Sequence, residues 1–302
     1  MFDNTRILGG NPNEYKTRTD YKTRIIRSGL SIDKDQKFEA PAIRFVECSS
    51  ELEKNFSLVY RTYMEKGFIP NHKSNEMSFS IYSLLPETTH ISVRKNRETI
   101  SNLTKITDTR EFGLPMDDIY KPELNRIRKK GRKIVELSAL ATPAKFRWRN
   151  IFLHQIQAVY WYALYQGVDD ICLVVNPRHK KYYTCMFPCE ELGPVRHYSR
   201  VNAPAVGLRA RVYEALDSMM KISSHLSSGI PFYKRLHQAA QNVFKPGHRF
   251  GPAPGLQLLL QPNMLNARSV RHFIKLDPKI IEGINAFQKK MLERAYPGLS
   301  LA

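Results

Sequence analysis

An α+β layered fold is predicted by three features of this sequence. Several extended segments follow one another directly, a continuous apolar run at residues 171–175 suits a central buried strand, and amphipathic helical stretches stand singly between them. A doubly wound sheet would instead alternate strand and helix throughout.

The elements follow in order. Residues 1–40 are polar, hold Gly9, Gly10 and Pro12, show no sustained period, and are expected to form a flexible lead-in. AIRFVEC (42–48) reads as a first strand. Ser50-Glu51-Leu52-Glu53 is a partial capping box, and Phe56, Val59, Tyr60, Tyr63 and Met64 recur at helical spacing up to Gly67. Residues 78–85 and 89–94 read as short extended segments, with 98–106 pairing with the latter as a hairpin across 95–97. Residues 108–131, with Pro115 and Pro122, read as an irregular or partly helical excursion. Residues 133–141 alternate as a half-buried strand that Thr142-Pro143 breaks. Phe152, Ile156, Val159 and Ala163 then give an amphipathic helix over 150–166, closed by Gly167. Asn176 is a good N-cap and Pro177 a good first helical residue for a second helix after the buried strand. Residues 195–200 and 205–212 read as strands, and the pattern beyond 215 is mainly helical around a Gly/Pro-rich loop at 245–255. The boundaries are therefore a lead-in (1–40), a catalytic-type domain (41–212) and a helical C-terminal extension packed on it (213–302).

With 302 residues and 42% apolar content the chain supports a real core. No apolar run is long enough to cross a bilayer, and the N-terminus lacks a signal-peptide layout. Four scattered cysteines, Cys48, Cys172, Cys185 and Cys189, point to a reduced, cytoplasmic chain. Cys185 and Cys189 lack a recognisable pair of partner ligands, so no metal is expected. The net charge of +19 favours an acidic partner. Residues 121–150 carry ten Lys or Arg against Glu123 and Glu136, and residues 234–302 carry eleven against Asp277, Glu282 and Glu293. A solvated basic face is the plain alternative for both clusters.

The candidate site lies between Lys133 and Tyr183. Glu136 is the one carboxylate on its strand and faces away from Val135 and Leu137, so it can accept a proton from an amine, through water. An exposed strand glutamate is the plain alternative. Lys145, Arg147 and Arg149 lead into a helix N-terminus, an arrangement that suits the phosphate of a pantetheine arm as well as it suits a solvated turn. Tyr183, seven residues past Asn176, can protonate a departing thiolate or simply fill core, and His179 can orient the site or cover the strand end.

Taken together and in this order, VELSALA (135–141), VNPRHKKYY (175–183) followed by ELG (191–193), RVNAPAVGLR (200–209) and VYRTYMEKGF (59–68) resemble the long-chain N-acyl amino acid synthases of the GNAT acyltransferase superfamily, relatives of the acyl-homoserine-lactone synthases. The resemblance covers residues 43–212. It implies a GNAT fold, a mixed central sheet flanked by helices, in which the strands at 133–141 and 170–175 splay and a pantetheine arm lies between them like an added strand. It implies that backbone N–H groups near Leu140 meet the pantetheine or the thioester carbonyl, with Asn176 and His179 also on the donor side. Glu136 falls at the family's acidic position and Tyr183 at its helix tyrosine. Arg61 falls at a first-helix arginine that holds an amino-acid carboxylate as a bidentate pair. Three departures stand out. Ala139 replaces the Arg that the lactone synthases carry after Glu-x-Ser, which argues against lactone synthesis. The turn ATPAKFRWRN is not glycine-rich, and Pro188-Cys189 replaces the usual Gly-Phe.

The activity so implied is that of a bacterial-type N-acyltransferase. It moves a long-chain fatty acyl group from acyl carrier protein or acyl-CoA to the amine of an amino acid by direct attack, with no cofactor beyond the acyl donor as co-substrate. Two alternatives remain at this stage. One is a nucleic-acid-binding protein, allowed by the charge and by Phe146, Trp148 and Tyr162 among basic residues, although no nucleic-acid partner is expected. The other is a GNAT-like module that binds acyl carrier protein without catalysis.

Overall fold

The structure, a computed structural model, describes residues 42–46, 48–69, 75–95, 98–149, 151–215 and 265–301. The strands are β1 (Ala42–Phe45), β2 (Thr89–Lys95), β3 (Glu98–Thr107), β4 (Ile134–Ala141), β5 (Asp170–Val175), β6 (Glu190–Glu191), β7 (Arg196–Tyr198) and β8 (Ala203–Arg211). The helices are α1 (Ser49–Met64), α2 (Asp117–Arg128), α3 (Ile151–Tyr165), α4 (Lys180–Met186), α5 (Ala267–Leu276) and α6 (Ala286–Ala295). The sheet runs β1-β2-β3-β4-β5-β8-β6, with β7 paired to β8. All of its pairings are antiparallel except the central β4–β5 pair, which is parallel. This is the mixed sheet with flanking helices expected from the sequence.

Alternation along β4 and β5 assigns the two faces. Val135, Leu137, Ile171 and Leu173 pack with Ile156, Val159, Tyr160 and Ala163 of α3 on one side. Ile134 and Cys172 pack with Tyr120, Leu124 and Ile127 of α2 on the other. Asn55 of α1 donates to Asn102 of β3 at 2.9 Å, which places α1 on the α2 side.

Two segments, 78–85 and β6, differ from their sequence expectation, while for 108–131 the partly helical reading holds. Residues 78–85 form no strand; Ile81–Leu84 is a 3-10 turn held by a reciprocal capping box between Ser80 and Ser83. Short apolar runs do not distinguish turn from strand by period alone. Within 108–131 an ordered helix forms despite Pro122, because the chain is already kinked at Tyr120 (φ −129°), where no regular helical bond is required of the proline. The two-residue β6 had no readable period at all.

The Gly/Pro-rich loop at 245–255 lies outside the described residues, as does the lead-in at 1–40. Residues 265–301 pack onto α1: Phe273 of α5 meets Phe56 and Phe79 with ring centroids 5.3 and 5.5 Å apart, and the Tyr296 hydroxyl donates to the Leu84 carbonyl at 2.6 Å.

Gly193 and Gly207 have a packing reason. The fully buried Tyr120 ring lies across both, and a Cβ on Gly207 would come within 2.9 Å of it, one on Gly193 within 3.0 Å. The ring cannot retreat: its hydroxyl donates to the Pro194 carbonyl at 2.6 Å and the Arg196 guanidinium covers its face at 4.7 Å. Gly207→Ala is expected to destabilise the fold by about 1–3 kcal/mol through overpacking, read as a lower denaturation midpoint. Gly283→Ala, where a Cβ would meet nothing within 4 Å, is the control and should leave the midpoint nearly unchanged.

Candidate active site

The parallel pairing of β4 and β5 stops at Leu137 and Leu173. Beyond it β4 continues to Ala141 along β3, while β5 continues to Val175 along β8. The β5-facing edge of 138–141 is thus left without a strand partner. A cavity of about 820 Å³ opens there, lined by Leu137, Ser138, Ala139 and Leu140 on one strand and Leu173, Val174, Val175 and Asn176 on the other.

β4 is bent at this point. Ser138 pairs with Thr104 and Ala141 with Asn102, so β4 spends one residue more than β3, a β-bulge. Ala139 takes the left-handed φ of 49°. A buried amide chain holds it there: Asn102 Nδ2 donates to the Ala139 carbonyl at 2.8 Å, Asn55 Nδ2 donates to Asn102 Oδ1, and Ser92 Oγ donates to Asn55 Oδ1 at 2.8 Å. The strain of a non-glycine residue in this region is offset by bonds that a regular strand would not make.

Glu136 is buried rather than exposed, at 2% relative exposure, and lines the cavity. It stands between Ile106 and Cys172 in the sheet and accepts a hydrogen bond from the Met116 N–H at 2.9 Å, at the N-terminus of α2. Burial pushes its carboxyl up to about 8, even though the Met116 N–H and the Arg200 charge both favour the ionised form. Asp117 and Asp118 add to the upward shift. Desolvation therefore outweighs one hydrogen bond and one neighbouring cation.

Tyr183 also lines the cavity, packed edge-on against Phe152 (5.6 Å) and Tyr182 (5.4 Å). Burial pushes its phenol well above its ordinary value, so it keeps its proton throughout the physiological range. Leu140, Asn176 and His179 are in the lining as well. Asn176 caps the turn that follows β5, accepting from the Arg178 N–H at 3.2 Å.

The remaining predicted residues are elsewhere. Arg61 is exposed in the last turn of α1 and is not part of the cavity wall; from the same helix Val59 and Tyr63 are. Arg61 is two residues of helical register, about 200°, from both Val59 and Tyr63, which puts it on the opposite side of α1 from the wall. Lys145 is exposed and rests over the Phe146 ring at 4.9 Å, outside the cavity. The backbones of Arg147 and Arg149 belong to the 3-10 turn Ala144–Arg149 ahead of α3, and their side chains lie outside what is described.

Sequence reasoning missed Arg200, Tyr198 and Lys66, which line the cavity. Tyr198 ends the short strand β7 and Arg200 lies in the turn after it, far along the chain from Glu136, and no local pattern joins them. The basic cluster at 121–150 is also divided. Exposed Arg126, Lys129, Lys130 and Lys133 lie at the end of α2 and in the turn into β4, roughly 20 Å of strand from the bulge, and exposed Lys121 lies in α2 outside the cavity wall. Arg128 is paired with Asp108 and Asp117, and Arg132 with Asp170. Among the described residues no group of three or more His, Cys, Asp or Glu side chains is placed to hold a metal, and no helix is long and apolar enough to cross a membrane.

A family profile described as N-acyl amino acid synthase FeeM matches residues 54–211, more than half of the chain and all of the cavity wall up to β8. The chain belongs to the FeeM N-acyl amino acid synthase family. The structure of FeeM itself, an N-acyl amino acid synthase from uncultured soil microbes, superposes with a TM-score of 0.52 at 24% identity, covering 59% of this chain and 95% of that one. This likeness shows the shared fold. The CoA-dependent acyl-homoserine lactone synthase BjaI, solved with SAM and isopentyl-CoA, aligns at 15% identity over 66% of this chain and 100% of that one, with a TM-score of 0.47. An acyl-CoA N-acyltransferase from Pseudomonas aeruginosa aligns at 14% identity over 56% and 99%, with a TM-score of 0.38. No curated protein sequence matches the chain. As a FeeM-family member with the GNAT-type fold, the protein is an acyltransferase that transfers an acyl group to an amine.

The buried Glu136 has a stability signature. Between about 4.5 and 8 the unfolded chain has lost a proton that the folded protein keeps, so the unfolded state binds fewer protons and stability falls as pH rises through that window. Glu136→Gln should therefore match wild type in melting temperature near pH 4 and exceed it increasingly up to pH 8. Buried His90, whose pKa burial lowers to about 4, runs the opposite way, but it is common to both proteins and cancels in the difference.

Proposed function

We propose that this FeeM-family enzyme moves a long-chain fatty acyl group from a phosphopantetheine thioester, carried on acyl carrier protein or on coenzyme A, to the amine of an amino acid. The observation that carries this reading is a buried Glu136, its carboxyl pushed up to about 8, on the wall of a cleft that two parting strands leave open.

The acyl arm lies along the unpaired edge of β4, where it takes the place of a strand partner. Backbone N–H groups of the bulge at 139–140 receive the charge that builds on the thioester oxygen. Glu136 takes a proton from the incoming ammonium; the free amine attacks the thioester carbon; the C–S bond breaks and the thiolate leaves with the proton of the Tyr183 phenol; the attacking nitrogen then gives its second proton to the Tyr183 phenolate as the amide forms, and Glu136 releases its proton to solvent. The product is an N-acyl amino acid and a free thiol, with no acyl-enzyme. The apolar parts of the wall, among them Phe79, Leu103 and Ile106, suit a hydrocarbon chain. Residues 265–301 back this wall, through Phe273 on Phe79, rather than forming it. The end of the cleft near Asn176, Arg178 and His179 suits the pantetheine phosphate better than the turn at 144–149 does, because these three residues line it and Lys145 does not.

Thiol release measured with an acyl-CoA or an acyl carrier protein thioester and a panel of amino acids tests the reaction, with mass spectrometry of the product naming acceptor and chain. Glu136→Gln should lower turnover about 10²–10⁴-fold with donor binding nearly intact; unchanged turnover would remove Glu136 from the mechanism. The wild-type kcat/KM should climb with pH to a plateau above about 8, and this ascending limb should vanish in Glu136→Gln. Tyr183→Phe should slow thiol release while leaving the dependence on acceptor concentration unchanged.

A further inference from the structure

Three cations line the cleft among the described residues: Lys66, Arg178 and Arg200. They are not equivalent. Lys66 follows the end of α1 and lies 5.8 Å from the Phe68 ring. Arg178 follows β5 and donates its Nε to His179 at 3.1 Å, at the end of the cleft beside Asn176. Arg200 lies between β7 and β8, and of the three it is the one whose charge acts on Glu136.

Arg200 is also built into place. Its Nε donates to Asp118 Oδ2 at 2.6 Å and its Nη2 to Asp118 Oδ1 at 3.4 Å, while its guanidinium stacks over the Tyr82 ring at 5.3 Å. Tyr82 is itself anchored by its hydroxyl, which donates to the Phe112 carbonyl at 3.3 Å. The Asp118 pair uses one edge of the guanidinium, and Nη1 makes no hydrogen bond among the described residues. An arginine presents five donors, so the fixed head keeps donors in hand for a second anion.

The first turn of α2 holds both groups. The Met116 N–H binds Glu136, and Asp118, two residues on, binds Arg200. Both side chains line the same cleft. An α-amino acid carries its ammonium and its carboxylate on one carbon, so an enzyme that takes the ammonium proton at one point needs a cation within a small molecule's reach of it.

We propose that Arg200, oriented by Asp118 and Tyr82, binds the carboxylate of the acceptor and makes the enzyme select amino acids over neutral amines. Arg61, the residue that resemblance suggested for this role, is exposed outside the cleft. The proposal rests on the acceptor reading given above and deepens it. Arg200 is a binding residue and Asp118 a positioning residue, and neither takes part in proton transfer.

The experiment compares each amino acid that the wild-type enzyme acylates with its carboxamide, the same molecule without the negative charge, using one acyl thioester throughout. The wild type should prefer the acid over the amide in kcat/KM. Arg200→Ala should raise the KM for the acid by on the order of 10- to 100-fold and leave the donor's KM unchanged; acid and amide share whatever loss follows from removing the Arg200 charge that favours ionised Glu136, so the acid-to-amide ratio of kcat/KM collapses. Arg200→Lys should restore part of it, and Asp118→Asn should lower it without abolishing it. The acid-to-amide ratio is internal to each preparation, so partial unfolding of a variant does not mimic the result. A variant that loses acid and amide in equal proportion, or a wild type that acylates the amide as well as the acid, overturns the carboxylate role and leaves amine acylation standing. A wild type that acylates no amino acid overturns the acceptor reading and this proposal together.

Discussion

Everything distinctive in this molecule depends on the parting of β4 from β5 after the Leu137–Leu173 pair. Up to that point the two strands are an ordinary parallel pair, buried on both faces between α3 and α2. After it each strand follows its other neighbour. The bulge at Ala139 bends β4 with β3, and the register of β5 with β8 carries it the other way. The separation exposes a row of backbone groups that elsewhere in the sheet would be paired, and such groups must find a partner. An extended thioester arm supplies one in the proposed reaction.

The separation also has an internal support. Ser92, Asn55 and Asn102 form a buried chain ending on the Ala139 carbonyl. Thr104, next along the same face of β3, meets His90 Nδ1 at 3.2 Å, and His90 Nε2 meets the Ser83 carbonyl at 2.8 Å. These groups are fully inside, so each left unpaired would cost about 1–3 kcal/mol. Their mutual satisfaction fixes the backbone at the bulge, where apolar side chains would pack but would not direct the Ala139 carbonyl.

Glu136 shows the same economy from the opposite side. Its burial raises the free energy of the charged form, and the fold retains it with one backbone N–H and the field of one arginine. The start of α2 is thus a small platform that presents a buried carboxyl and, through Asp118, a fixed cation to one cleft. The strong ion pairs elsewhere are structural in character: Asp170 is fully buried between Arg132 and Arg209, and Glu123 is held by Arg196 beside the Tyr120 ring. With the Arg128 pairs to Asp108 and Asp117, they take Arg132 and Arg128 out of the basic cluster at 121–150.

Much of this was legible in the amino-acid sequence. Periodicity located β2, β3, β4, α3 and β5 to within a residue or two, because each buries one face or both, and burial writes its period directly into the chain. The ordered motifs from Val135 to Tyr183 identified the family and placed Glu136 on the face opposite Val135. The sequence could not say that Glu136 is buried, since the residues that cover it, Met116 and the start of α2, come from a stretch broken by prolines that reads as irregular or partly helical, with no sign of where it packs. Nor could it choose among the arginines. Arg61 and Arg200 are both single, exposed cations in recognisable motifs, and only the packing shows that Arg200 lines the cleft that holds Glu136 while Arg61 does not. Local pattern reports which way a residue turns within its own element; which side chains from distant elements meet in one cleft is decided by how the elements pack, and that is a property of the tertiary structure alone.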